Sequence, residues 1–156
     1  MLLFLLRHAE AEAVAATDDA RKLTPKGWEQ AEKVARYLKE QKLVVSLILA
    51  SPVRRAQETA TTVAKHLGVE LRTERWLACG MHPAVALQHL GEFSSESGVM
   101  IVGHEPDFSQ LAAHLLGLPS NDRFHVRKAS LTLIQVTGLR AGAGCLEFSI
   151  PCKLMS

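Results

Sequence analysis

The chain has 156 residues, 47% of them apolar and 22% charged, which fits one domain over 1–156 with a core of its own. A net charge of +2, with no stripe of Lys and Arg and few aromatics, excludes the usual nucleic-acid binder. No apolar run approaches the roughly 20 residues that a bilayer-spanning helix needs, so no membrane is expected.

The first residues, Met1 to Arg7, are apolar before they are basic, which is the wrong order and length for a signal peptide. The three cysteines, Cys79, Cys145 and Cys152, form no C-x-x-C pair. They read as reduced thiols in a cytoplasmic protein. A monomer is the default expectation.

Residues 2–6 form a continuous apolar run, as expected of a strand covered on both faces. The Ala-, Asp- and Glu-rich stretch 9–23 reads as a surface loop. Thr24-Pro25 supplies a helix cap followed by proline in the first turn. An amphipathic helix over about 26–41 follows, with Trp28, Ala31, Ala35 and Leu38 on one side.

Residues 46–50 predict a second buried strand. Ser51-Pro52 repeats the cap-then-proline signal and opens a helix to about 67, with Ala56, Ala60, Val63 and Leu67 inside. A short strand near 69–73 and a weaker helix over about 83–91 come next. Residues 98–103 predict a third strong strand, and Pro106 opens a helix with Phe108, Leu111, Ala112, Leu115 and Leu116 inside. Two late strands, about 130–136 and 145–150, flank a Gly-rich turn and suggest an antiparallel edge. The alternation implies an α/β sandwich with a mostly parallel central sheet. Ligands of such sheets collect beyond the carboxyl ends of the strands.

Those ends carry unusual residues. The first strand delivers Arg7 and His8, the second Arg54 and Arg55 in the helical turn behind Ser51-Pro52, and the third His104 with Glu105. Guanidinium forks bind phosphate oxygens bidentately and stay charged. A neutral imidazole is a nucleophile without a separate base, and nearby cations favour its neutral form. The set suits phosphoryl transfer.

Four ordered motifs carry a resemblance. They are Arg7-His8-Ala9 after the first strand; Asp18, Arg21, Leu23, Thr24 and Gly27 in a D-x-x-R-x-L-T-x-x-G element; Ser51, Pro52, Arg55, Ala56 and Thr59 in S-P-x-x-R-A-x-x-T; and Gly103, His104 and Pro106 in G-H-x-P. With them the chain resembles the histidine phosphatase superfamily, and specifically its short phosphohistidine phosphatase branch. The resemblance implies a three-layer α/β/α sandwich of the phosphoglycerate mutase-like kind. It also implies that His8 is the phosphorylated nucleophile and that Arg7, Arg55 and His104 form the phosphate pocket, with no metal and no cofactor. The partner it implies is a phosphorylated substrate, such as a histidine-containing phosphotransfer domain.

One departure stands out. Many members carry a leaving-group acid between the second and third strong strands, but residues 77–82 offer no carboxylate. His82 and Glu10 are the available substitutes. A phosphoramidate leaves readily once its nitrogen is protonated, so the gap favours phosphohistidine over a sugar phosphate. A small-molecule phosphomonoesterase and a non-catalytic phospho-ligand module are the competing readings. The H-x-E spacing of His8 and Glu10 matches zinc deaminases, but the P-C-x-x-C partner is missing. His66, His89, His114 and His125 read as surface residues, His114 on a solvated face with Asp107 and Gln110.

Overall fold

In the computed structural model, which describes residues 1–156, the N-terminal apolar run forms β1 (Leu2–Arg7), and Leu3 to Leu6 are fully buried. It lies inside a six-stranded sheet completed by β2 (Leu47–Ala50), β3 (Glu70–Thr73), β4 (Gly98–Gly103), β5 (Leu131–Val136) and β6 (Gly144–Ile150). The spatial order is β3-β2-β4-β1-β5-β6. The first four of these are parallel, β5 runs antiparallel to β1, and β6 antiparallel to β5. Four helices cover the sheet: α1 (Pro25–Glu40), α2 (Arg54–Leu67), α3 (Pro83–Leu90) and α4 (Asp107–Leu116).

Alternation along β1 sorts the core into two halves. Phe4 and Leu6 face Ala31, Val34 and Leu38 of α1 and Ala56, Ala60 and Val63 of α2. Leu3 and Leu5 face the opposite layer, with Leu90 of α3 and Leu111 and Leu115 of α4. Each such aliphatic side chain removed from water contributes about 1.5–3 kcal/mol, which fixes the register of the inner strands. The layers are therefore α1/α2, sheet and α3/α4, as the alternation of elements implied. None of these helices is long and apolar enough to cross a membrane.

Local chemistry explains most boundaries. The Thr24 hydroxyl accepts from the Gly27 N–H at 3.0 Å, with Pro25 in the first turn, so α1 starts where its cap signal lies. A Cβ on Gly27 would run into the Glu10 carbonyl oxygen, so the close approach of α1 to the segment after β1 requires glycine there. α2 stops at Gly68, whose φ of 68° is the left-handed conformation that glycine adopts freely.

Four expectations need correction. Trp28 is 42% exposed, and the buried stripe of α1 consists of Gly27, Ala31, Val34, Ala35 and Leu38. The inner position of that turn belongs to Gly27, and a ring cannot share it. Ser51 does not cap α2, which starts at Arg54 with Val53 at the cap position. Asp107 is not on a solvated face: it is 4% exposed, and its carboxylate accepts from the Gly80 N–H at 2.9 Å. The 9–23 stretch is on the surface only in its middle. Its base is pinned by the Ala11–Leu23 bridge, with Ala9, Ala11 and Leu23 buried.

For function, the decisive feature is that the chain skips a place in the sheet. β1 is followed through α1 by β2, and β4 later inserts between them. Arg7 pairs with Gly103 and Ala50 with Val102, so the carboxyl ends of β1, β4 and β2 finish level and side by side. The next residues from those three ends are His8, His104 and Ser51.

Candidate active site

Each strand end sets its own residue by backbone pairing that runs past the strand. The His8 N–H donates to the Gly103 carbonyl at 3.0 Å, and the Ser51 N–H to the Val102 carbonyl at 3.0 Å. The rings of His8 and His104 come to 5.3 Å between centroids, tilted by 53°. Arg55, in the first turn of α2, lays its side chain back over His8 and donates from Nε to His8 Nε2 at 3.3 Å. The three side chains are 5%, 2% and 4% exposed, respectively for His8, His104 and Arg55, so their electrostatics act with little solvent screening.

The tautomer of His8 follows from its partners. Nδ1 lies 2.8 Å from the Ala9 carbonyl oxygen, which only accepts, so the ring proton sits on Nδ1. Nε2 then carries the lone pair. Burial, with smaller effects from His104, Arg55 and Arg7, lowers the His8 pKa from 6.5 to about 3. The neighbouring cations alone were expected to do this; desolvation is the larger cause. Burial and Arg55 likewise bring His104 down to about 4. Both imidazoles are neutral at physiological pH.

The surrounding donors are arranged for an anion. His104 Nε2 is 2.7 Å from the Ser51 hydroxyl, and its Nδ1 is buried without a protein partner. Arg7 donates from one terminal nitrogen to the Val126 carbonyl at 2.9 Å, while its buried Nε has no protein partner. The Ser130 hydroxyl is in the same condition. Buried polar atoms left unpaired are costly, and free donors beside two guanidinium groups suit phosphoryl oxygens. Ser51 thus serves His104, which is why its hydroxyl was misread as a helix cap.

Two supports were not foreseen. Asp18 receives the terminal nitrogens of Arg55, its carbonyl at 2.9 Å and its carboxylate at 3.2 Å. Arg55 in turn holds the Asp18 carboxyl below its ordinary pKa. Thr59 accepts from the Ala9 N–H at 3.0 Å and donates to the Arg55 carbonyl at 2.8 Å. Both residues lie in motifs already singled out, but their partners are 37 and 50 residues away.

Other named residues fall outside this cluster. Arg54 is exposed and pairs with Glu58 at 3.5 Å. Glu10 accepts from the Thr24 hydroxyl at 3.1 Å and pairs with Lys26 at 3.7 Å, so its carboxylate is engaged on α1. His82 is exposed, and its Nδ1 accepts from the Ala84 N–H at 3.3 Å. His66 pairs with Glu32 at 2.7 Å, His89 stacks on Trp76 at 5.3 Å, and His125 is exposed.

These contacts separate the two adjacent arginines. Arg55→Ala should lower kcat/KM about 100-fold, the usual scale for removing one donor aimed at developing charge, and Arg54→Ala should stay within about twofold. Steady-state rates on an aryl phosphate decide the matter. Equal losses would mean that Arg55 is not the phosphate-facing residue.

Residues 3–78 match the model of the histidine phosphatase superfamily (branch 1). The phosphohistidine phosphatase SixA of Escherichia coli K12 is 28% identical over 99% of this chain and 96% of its own length. A phosphohistidine phosphatase SixA homolog of Haemophilus influenzae is 34% identical, over 75% of this chain and 78% of that protein. The chain belongs to the histidine phosphatase superfamily.

Membership makes it a phosphatase. Among solved histidine phosphatase structures, SixA complexed with tungstate superposes with a TM-score of 0.89 over all of both chains, at 22% identity. The alpha-ribazole phosphatase of Shigella flexneri gives 0.75 at 21% identity, over 95% of this chain and 96% of that one. At these identities the likeness speaks to the shared three-layer fold.

Proposed function

We propose that this histidine phosphatase removes phosphate from phosphohistidine on a protein, through a covalent intermediate on His8, in the cytoplasm. The observation that carries the covalent step is the Nδ1 contact to the Ala9 carbonyl, which leaves the Nε2 lone pair of a neutral, buried imidazole free to attack. An entering phosphoryl group takes over the Arg55 Nε–H that now rests on Nε2. That exchange frees the lone pair at the moment the phosphorus arrives.

His8 Nε2 then attacks phosphorus in line as the substrate's N–P bond breaks. The substrate imidazole, protonated on its far nitrogen, departs as neutral imidazole and needs no acid from the enzyme. As His8 takes on positive charge, its Nδ1–H bond to Ala9 strengthens. Arg7, Arg55 and the His104 ring stabilise the charge on the transferring oxygens. Water next attacks phospho-His8, the P–Nε2 bond breaks, and inorganic phosphate leaves.

The substrate assignment rests on the leaving-group side. The 77–82 segment carries no carboxylate, and the carboxylates beside it are engaged: Asp107 accepts from the Gly80 and Met81 N–H groups, Glu105 from the Ser109 N–H, and Asp18 from Arg55. The relatives named for phosphohistidine support the same reading. A side-by-side rate comparison on a phosphohistidine protein, N-phosphoimidazole, a sugar phosphate and an aryl phosphate tests it. The two P–N substrates should exceed the sugar phosphate in kcat/KM by about 100-fold or more, the scale of a missing general acid. A sugar phosphate turned over as fast as either would overturn the assignment.

A further inference from the structure

Next to the site, and sharing Arg7 with it, runs an open groove of about 550 Å³ between the exposed face of α1 and the segments before β5 and after β6. Its cations are Arg7, Lys26, Lys33, Arg127, Lys128 and Lys153, and its single carboxylate is Glu29. The whole chain carries a net charge of only +2, so this concentration is local. Lys26 pairs with Glu10, whereas Lys33, Arg127, Lys128 and Lys153 have no carboxylate within ion-pair distance.

The character of these groups narrows the occupant. Small anionic ligands are held by a few fixed polar groups in apolar-walled pockets. Here Arg127, Lys128 and Lys153 are exposed on long flexible stems, from segments far apart in sequence, and the walls are built mostly from the stems of charged and polar residues rather than from apolar side chains. Unpaired exposed cations spread over such a surface steer and orient a large acidic partner. Arg7 belongs both to the groove and to the phosphate pocket, so a partner seated in the groove can present its phosphorylated residue to His8.

We propose that this groove docks an acidic face of the phosphohistidine protein, with Lys33, Arg127, Lys128 and Lys153 as its recognition residues. The inference rests on the phosphohistidine reading above and adds where the rest of the substrate lies.

The test uses two P–N substrates and one chain. A histidine phosphotransfer domain of net negative charge, phosphorylated with phosphoramidate, is the protein probe, and N-phosphoimidazole is the small one. The quadruple variant K33Q/R127Q/K128Q/K153Q should lose about 30-fold in kcat/KM on the phosphoprotein at low salt, mostly through KM. On N-phosphoimidazole it should stay within about twofold, which also reports that the variant is folded. Raising salt to about 0.5 M should depress the wild-type rate on the phosphoprotein and leave N-phosphoimidazole nearly unchanged.

Parallel losses on both substrates, or no loss on the phosphoprotein, would overturn docking alone. Inhibition by tripolyphosphate that disappears in the variant, with phosphoprotein turnover intact, would assign the groove to a small polyanion instead. Failure of the wild-type enzyme to hydrolyse either P–N substrate would sink the phosphohistidine reading itself, and docking with it.

Discussion

His8→Ala should abolish turnover, by about 10⁴-fold or more, and should leave no residue on which phosphate can be trapped. Every contact around His8 serves one nitrogen. Nδ1 is committed to the Ala9 carbonyl, and Nε2 meets the Arg55 guanidinium. The other imidazole of the site, His104, has its Nε2 engaged with the Ser51 hydroxyl. Alanine removes the nucleophile and leaves Arg7, Arg55 and His104 as an anion site, so binding of inorganic phosphate should survive while hydrolysis does not. Mixing enzyme with a P–N substrate and quenching within milliseconds should give wild-type protein an acid-labile, base-stable phosphate. The variant should show none, and turnover within tenfold of wild type would remove His8 from the mechanism.

A second large effect concerns stability against pH. His8 and His104 titrate at about 3 and about 4 in the folded chain, against 6.5 when exposed. Well above pH 6.5 neither state binds these protons, and stability does not depend on them. Below it the unfolded chain takes protons that the folded chain refuses, so stability falls as pH falls. Each residue costs up to about 1.4 kcal/mol per pH unit until the folded state also titrates.

Between pH 6.5 and 5 the two together remove about 3 kcal/mol, a large share of the 5–15 kcal/mol by which domains are stable. Glu105 and Asp107, whose carboxyls burial raises, act in the opposite sense as they titrate. Urea midpoints at pH 7, 6 and 5 should therefore drop steeply for wild type. A His8→Asn/His104→Asn double variant should show a much flatter profile; an unchanged slope would place the acid sensitivity elsewhere.

Much of this architecture is legible in the sequence because its signals are local. The apolar runs that become β1, β2 and β4 need no partner to be recognised, and Thr24-Pro25 caps α1 through a bond three residues long. His8, Arg55 and His104 were legible because each follows a strand in a recognisable motif. The failures share a different cause. Ser51-Pro52 has the form of a cap, but its hydroxyl is drawn to His104, 53 residues away. Asp107 sits at a helical position that reads as solvated until the loop at Gly80 folds onto it. Asp18 and Thr59 were visible as motif letters, yet their bonds to Arg55 and Ala9 depend on a meeting of elements that no periodicity encodes.

The Thr59 hydroxyl has a consequence for how the site moves. It joins the peptide that follows the nucleophile to the helix that carries Arg55. Thermal displacement of α2 against β1 is therefore shared by attacker and clamp rather than opened between them. The gap a phosphorus atom must fill is held by a bond that touches no substrate, and drift in the scaffold becomes a common translation of the reacting parts.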